Sequence, residues 1–391
     1  MKKALIITPR SPFLGRGADE QDRLAGIEWF IKKNFEVRVI TKTLPSDLPP
    51  ITEAEKRLGI KIFPVSYKRS RALKRLFNPN FWDGAAYEYF DKEIQDTVYR
   101  EVSQWRPDLV WVDYTYLWPL YHIMHEANIP IITRSINYEP EHFLQEDGNN
   151  FINRLRARPK IASERRALKE SAWFFAISPN EAIQYRELGG TRVSTLPLRA
   201  LPTRLIAPKS KEHERIRIGF MPSTYTVHHN KEAFKFVVED VVPALSAEVR
   251  DKISIHVTGN KFPKDIVIPH GVHYEGFVPS SIDFWQSMDI ALAPSLFGAG
   301  MQQKIFEPLA LGVPTITSSR GLVGYPFRCG VHLLCAENAE EVRDAIVLLA
   351  NDPEKRKEIS RAAQALSQNL FPESRYDELL EEALHVIFRK E

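Results

Sequence analysis

The stretch Ile290-Ala-Leu-Ala-Pro-Ser-Leu-Phe-Gly-Ala-Gly-Met-Gln-Gln-Lys-Ile-Phe-Glu-Pro-Leu-Ala-Leu-Gly-Val-Pro-Thr-Ile-Thr-Ser318 carries the residue types best suited to chemistry. It reads as strand, glycine loop, helix, glycine stop and strand. Gly298 and Gly300 let a backbone approach a ligand closely. The amides of Gly300, Met301 and Gln302 are expected to open the helix and point at an anion. Lys304 and Glu307 lie three apart and so share one helix face. A cation near a helix start suits a diphosphate. A carboxylate one turn later suits the vicinal hydroxyls of a ribose, as the acid does in dinucleotide folds. Gly312 is a natural stop, with Pro314 just beyond. The competing reading of the Lys304/Glu307 pair is an ordinary solvated helix face. Its position after a strand, in an α/β pattern, favours the ligand reading.

The elements that would hold this segment follow from hydrophobic patterning. Apolar, β-branched runs at Ala4–Thr8, Glu36–Thr41, Ile60–Pro64, Asp108–Val112, Pro130–Thr133, Trp173–Ala176 and Val193–Leu196 alternate with helical stretches. One of these stretches is a long helix around Ala85–Gln104. Such alternation predicts βαβ units and a parallel sheet covered on both faces. Between Leu196 and Arg215 the pattern breaks at Pro197, Pro202 and Pro208, which reads as a linker. It restarts at Ile216–Phe220 and continues with Ile253–Val257, Val272–Tyr274, Ile290–Pro294, Thr315–Ser318 and His332–Cys335. The expectation is two doubly wound α/β domains, over 1–196 and 216–371, joined by the linker 197–215 and followed by an amphipathic helix in 372–391.

The length of 391 residues agrees with two domains. Lys+Arg 53 against Asp+Glu 50 leaves +3, too little to predict a nucleic-acid partner. Two cysteines, Cys329 and Cys335, make no disulfide framework, so a reducing compartment, the cytoplasm, is the default. Ala4–Ile7 is too short for a signal-peptide core, and no run reaches the ~18 apolar residues of a membrane span. His228-His229 and His270-x-x-His273 lack a carboxylate or cysteine set, so no metal is expected.

Residues 216–370 resemble the donor-binding domain of retaining glycosyltransferases of family 4, the group 1 glycosyl transferases. The resemblance rests on Gly219-Phe-Met followed by Asn230, on Ile255-His-Val-Thr-Gly259 and on Gly271-Val-His-Tyr-Glu-Gly-Phe277. It continues through Ser287–Pro294, Gly298–Glu307 and Gly330-Val-His-Leu-Leu334. The first half is similar more weakly, through Gly15-x-Gly17 before a helix and Phe35–Thr41. The resemblance implies the GT-B fold, two Rossmann-like domains facing across a cleft, with a last helix crossing back to the first domain. It also implies transfer of a sugar from a UDP- or GDP-sugar, with retention, to a glycan, lipid-linked or small-molecule acceptor, without a metal. Glu307 then holds the ribose, Lys304 with the loop Gly298–Met301 and Gln302 holds the diphosphate, and the backbone at Phe277 and Val278 cradles the base.

Two departures qualify this. The family's Glu-x7-Glu has Ala299 at its first position, so the sequence is closer to a branch with G-x-x-x-K-x-x-E. The loop Met221–Asn230 has no Arg, although many relatives hold the diphosphate from there. The alternatives are a GT-B nucleotide-sugar epimerase or hydrolase, and an inactive GT-B binding or scaffold protein.

Acceptor-side candidates lie in the first half. Gly15 and Gly17 could offer amides to donor or acceptor, or form an ordinary βα turn. Asp113 ends a strand as a switch-point residue or caps a helix. Asn137 and Glu139 follow the strand at 130–133 and are the candidates for reading acceptor hydroxyls, with His142 a surface residue or a proton carrier. Two basic segments, 68–75 and 154–169, are either solvated faces or a peripheral contact with an anionic membrane at its inner face.

Overall fold

A computed structural model describes residues 1–14, 17–67, 82–206, 213–296 and 301–389. Gly15, Gly298, Gly300, Ala299 and the basic segment 68–75 lie outside these residues. The chain divides into two compact units, Met1–Ala200 with Tyr376–Glu391, and Leu201–Arg375.

The first unit is built on seven strands: β1 (Lys3–Thr8), β2 (Glu36–Thr43), β3 (Lys61–Ser66), β4 (Leu109–Asp113), β5 (Ile131–Arg134), β6 (Trp173–Ala176) and β7 (Val193–Thr195). They form one parallel sheet in the order β3-β2-β1-β4-β5-β6-β7. The second unit has β8 (Ile216–Phe220), β9 (Ile253–Thr258), β10 (Val272–Gly276), β11 (Ile290–Ala293), β12 (Thr315–Thr317) and β13 (Leu334–Cys335). Their order is β10-β9-β8-β11-β12-β13, again all parallel. Each expected run contains a strand: the central strands are apolar along their length because both faces are covered, whereas the edge strands β3 and β10 leave several side chains exposed. Leu5, Ile7, Val110 and Val112 pack in one core, and Ile218, Ile255, Val257, Ile290 and Leu292 in another.

Both sheets reverse direction beside their first strand, between β1 and β4 and between β8 and β11. Loops leaving such a switch point diverge and open a crevice at the carboxyl ends of the strands. In the second unit, β11 is fixed against β8 through Ile290↔Ile218 and Ala291↔Gly219. A Cβ on Gly219 would lie 2.6 Å from Met288 Cγ and 3.0 Å from the Phe284 and Trp285 rings. Glycine is therefore what allows the helix Ser281–Gln286 to pack directly on β8.

Three local expectations are corrected. The stretch 85–104 is not one helix: Gly84–Glu88 stops, and Lys92–Arg100 starts afresh and runs into a π turn, Glu101–Trp105. Asp91 supplies the new start, its Oδ1 accepting from the Ile94 amide at 3.1 Å. Asp113 caps no helix; it is the last, buried residue of β4. Cys329 and Cys335 are disulfide-bonded, because the turn before edge strand β13 brings their Cα atoms to 5.4 Å.

The last helix, Glu373–Phe388, returns to the first unit. Tyr376 Oη donates to the Leu198 carbonyl at 2.9 Å, and Asp377 accepts from Trp29 Nε1 at 2.6 Å. Lys33 pairs with Asp377 at 3.0 Å and with Glu381 at 2.6 Å. Deeper in this unit, Asp22 is fully buried between Arg134 at 2.8 Å and Arg199 at 2.9 Å, and Arg199 also reaches Asp113 at 3.0 Å. Burial pushes the Asp22 carboxyl up, but the two guanidinium groups more than offset it and leave it below the usual carboxylate range. Burial lowers Arg134 to about 10. Two cations and two anions thus neutralise one another and tie the first helix, β4, β5 and the segment leaving β7. Asp22→Ala leaves two guanidinium groups facing one carboxylate, and stability should fall by about 3–5 kcal/mol. Urea unfolding followed by tryptophan fluorescence checks this; an unchanged midpoint would contradict it.

Candidate functional site

In the second unit the chain leaves β11 at the switch point and enters the helix Gln303–Ala310. The helix begins at Gln303, so the amides of Met301 and Gln302 precede it rather than form its first turn. Gln302 is its N-cap residue, without a side-chain cap. Its amide donates from Nε2 to Ser295 Oγ at 2.6 Å, and its carbonyl accepts from Tyr325 Oη at 3.1 Å. Ser295 in turn offers its carbonyl to Ser318 Oγ at 2.6 Å, and Thr317 Oγ1 donates to the Ala293 carbonyl at 2.7 Å. These bonds fix the ends of β11 and β12 relative to the helix start. The Gln302 carbonyl also accepts from the Ile305 amide at 3.0 Å, closing the first turn, and the helix dipole presents positive potential at that end. Met301 is buried, and Lys304 is half-buried on that turn. Gly312, at φ +72°, ends the segment in the left-handed conformation that glycine favours.

Glu307 is only 3% exposed, an unusual burial for a carboxylate. Its Oε1 accepts from Gln303 Nε2 at 2.6 Å and from Ser281 Oγ at 3.2 Å, and it pairs with Arg204 Nε at 3.0 Å. Among the described residues, all of these donors meet Oε1. The i,i+4 spacing puts Gln303 beside Glu307 on one helix face. Ser281 arrives because Ser280 caps the helix Ser281–Gln286, accepting from the Asp283 amide at 3.1 Å. That cap follows Gly276 (φ +73°), Phe277 and Val278, so the proposed base cradle runs directly into a Glu307 partner. Phe277 is half-exposed, while Val278 packs against the Phe284–Trp285 cluster. The loop after β8 is tied down by Tyr225 Oη to the Thr258 carbonyl at 2.7 Å and by Asn230 Nδ2 to the Thr224 carbonyl at 2.9 Å.

Sequence reading missed Arg204, Ser281, Gln303 and Ser295. Ser280-x-x-Asp283 is a legible cap signal, and Gln303 is legible from its helical spacing to Glu307. Arg204, in a proline-bounded stretch, carries no such signal.

In the first unit, Asn137 and Glu139 gather around Tyr114, which follows β4 at φ +124°. Glu139 accepts a hydrogen bond from Tyr114 Oη and is buried; Asn137 is half-buried, with Nδ2 at 3.5 Å from the same hydroxyl. Behind them Glu164 accepts from Thr115 Oγ1 at 3.0 Å and Tyr185 Oη at 2.9 Å. Burial pushes the Glu164 carboxyl well above its ordinary range, and the neighbouring Glu139 adds to that. His142 is on the helix Glu139–Asp147, its Nδ1 buried without a hydrogen-bond partner. Gly17 is the N-cap residue of the helix Ala18–Lys32, with its carbonyl accepting from the Gln21 amide at 3.0 Å. Among the described residues, no group of three or more His, Cys, Asp or Glu side chains could hold a metal ion. No described helix is long and apolar enough to cross a membrane.

Glu181, on the first turn of Pro179–Glu187, lies beside this cluster. Burial raises its carboxyl to about 7 from an ordinary 4.5, against backbone hydrogen bonds from Tyr138 and Ile177. Between those two values the folded chain binds more protons than the unfolded one, so Glu181 costs stability as the pH rises through that window. Glu181→Gln should therefore gain on the parent between pH 4.5 and 7 by up to about 3 kcal/mol. Thermal midpoints of both proteins across that range check it; a difference that does not vary with pH would contradict it.

Residues 216–352 match the family model described as glycosyl transferases group 1. The whole chain is similar in fold to Anabaena HepE, solved in complex with UDP and glucose: TM-score 0.68 at 13% identity, covering 98% of this chain and 99% of HepE. S. aureus TarM gives a TM-score of 0.72 at 9% identity, covering 99% of each chain. Sucrose-phosphate synthase from Thermosynechococcus elongatus gives 0.69 at 11% identity over 100% of both chains. No curated protein matches the sequence. Two parallel, doubly wound sheets and a last helix returning to the first unit, matched over the full length by these structures, constitute the GT-B fold. The family match over the second unit supports a glycosyltransferase built on it.

Proposed function

We propose that this chain transfers a sugar, a hexose or close relative, from a UDP- or GDP-linked donor to an acceptor hydroxyl with retention of anomeric configuration. The observation that carries the reading is Glu307. A carboxylate held on one oxygen by two hydrogen-bond donors and an ion pair, on the helix that leaves the switch-point strand β11, is fixed in the way that recognition of a vicinal diol needs. The ribose of the donor binds Glu307, and the base lies against the backbone of Phe277 and Val278. Lys304, with the amides ahead of Gln303, neutralises the diphosphate. HepE, with its UDP and glucose, is similar over its full length and so supports a nucleotide-sugar donor.

In the reaction, the bond from the sugar's anomeric carbon to the diphosphate oxygen breaks as the acceptor oxygen bonds to that carbon from the same face. The acceptor proton passes to the departing diphosphate, whose charge Lys304 and the helix amides stabilise. Residues 1–196 serve the acceptor, with Asn137 and Glu139 reading its hydroxyls, and residues 216–371 serve the donor. Ala299, where many relatives have a carboxylate facing the sugar, leaves donor recognition to the remaining groups. NDP release from a panel of UDP- and GDP-sugars, with and without glycan and lipid-linked acceptors, tests the activity. Release that requires acceptor supports transfer; release without it supports an epimerase or hydrolase, and no donor binding refutes both. Glu307→Ala should weaken nucleotide binding about 10-fold or more without unfolding the chain, and unchanged affinity would refute the ribose assignment.

The acceptor is a glycan or lipid-linked sugar presented at an anionic membrane. The helix Phe151–Glu170 exposes Phe151 (75%), Ile152 (61%) and Leu155 beside Arg154, Arg156, Arg158, Arg165 and Lys169. Apolar side chains to insert and cations to meet headgroups belong together on a surface-binding helix. Flotation with phosphatidylglycerol vesicles should carry the protein at low salt and less at high salt. Failure to float at any salt would remove the membrane from this reading.

A further inference from the structure

Glu307 has a charged partner, Arg204, that comes from outside the helices and strands of the nucleotide site. Arg204 closes the short turn Leu201–Arg204, at the start of the second unit. The turn is rigid for a connecting segment: Pro202 fixes one φ, its carbonyl accepts the Leu205 amide at 3.2 Å, and the Arg204 carbonyl accepts the Ile206 amide at 3.0 Å. The Arg204 side chain is 12% exposed and that of Glu307 4%. A carboxylate this buried needs a cation or hydrogen-bond donors around it. Gln303 and Ser281 supply neutral donors; Arg204 supplies the charge. The contacts of Gln303, Ser281 and Arg204 converge on Oε1 and fix the position of that oxygen.

We propose that Arg204 is a positioning residue for nucleotide recognition: it holds the Glu307 side chain oriented so that the carboxylate reads the ribose hydroxyls. This rests on the ribose reading of Glu307 and adds to it a residue that does not touch the nucleotide. A lysine at this position would keep the charge but lose the planar guanidinium edge that meets Oε1, so Arg204→Lys recovers affinity only in part.

Calorimetric titration with UDP and GDP, following whichever binds more tightly, separates the possibilities. Arg204→Ala should weaken binding about 10-fold or more, and add less than about two-fold when Glu307 is already alanine. Arg204→Ala should also bind the nucleotide and its 2′-deoxy analogue with nearly equal affinity, a ratio that general loosening of the fold would not equalise. If Arg204→Ala does not fold, Arg204→Lys carries the test through the same ribose-to-deoxyribose ratio. Full loss on both backgrounds means that Arg204 contacts the nucleotide itself and overturns the proposal. Wild-type affinity in Arg204→Ala, with Glu307→Ala still impaired, overturns it while leaving the ribose reading intact. Wild-type affinity in Glu307→Ala removes the ribose reading and the proposal with it.

Discussion

A carboxylate buried at the end of a parallel sheet needs polar partners around it, and the second unit meets that need at Glu307. Gln303 is one helical turn away, and Ser281 is delivered by a capped helix whose close packing on β8 needs Gly219. Arg204 is delivered by a proline-stiffened turn. Remove the carboxylate and these features have no common purpose. With it, they fix the position of one oxygen, Oε1. The adjoining Ser295–Gln302–Tyr325 bonds hold the helix start in register with β11 and β12.

The first unit meets a similar demand differently. Asp22, Asp113, Arg134 and Arg199 cancel one another's charge, and the ends of β4 and β5 are thereby locked to the first helix. Next to this neutral tetrad is an acidic cluster, Glu139, Glu164 and Glu181, in which burial favours the protonated form of Glu164 and Glu181. Tyr114 is held at positive φ between the two groups, with its hydroxyl on Glu139. A bulky side chain in that region is strained, and such strain beside a switch point is consistent with a surface shaped for a ligand rather than for stability alone.

What could be read from the sequence follows from the range of the forces involved. Central parallel strands buried on both faces are local apolar runs, and the edge strands keep β-branched or aromatic residues, so all thirteen positions were legible, as was the break in pattern that separates two sheets. The helix expected over 85–104 was misread because its periodicity continues past Asp91, whose capping role competes with it. Pairings between distant positions left no trace: nothing local in Leu-Pro-Thr-Arg204 points to Glu307, nor does Asp22 announce Arg199. The cysteines were read from compartment statistics, whereas the turn before β13 brings them within bonding distance. Lys304 and Glu307 were found because helical spacing and a strand-end position are both local signals. Their partners were not.

A crystal structure of the full chain with its preferred nucleoside diphosphate tests the central claim most directly. The account predicts the ribose 2′- and 3′-hydroxyls within about 3 Å of the Glu307 carboxylate, with the diphosphate at the start of the helix Gln303–Ala310. A nucleotide bound elsewhere, or with its ribose turned away from Glu307, would contradict it.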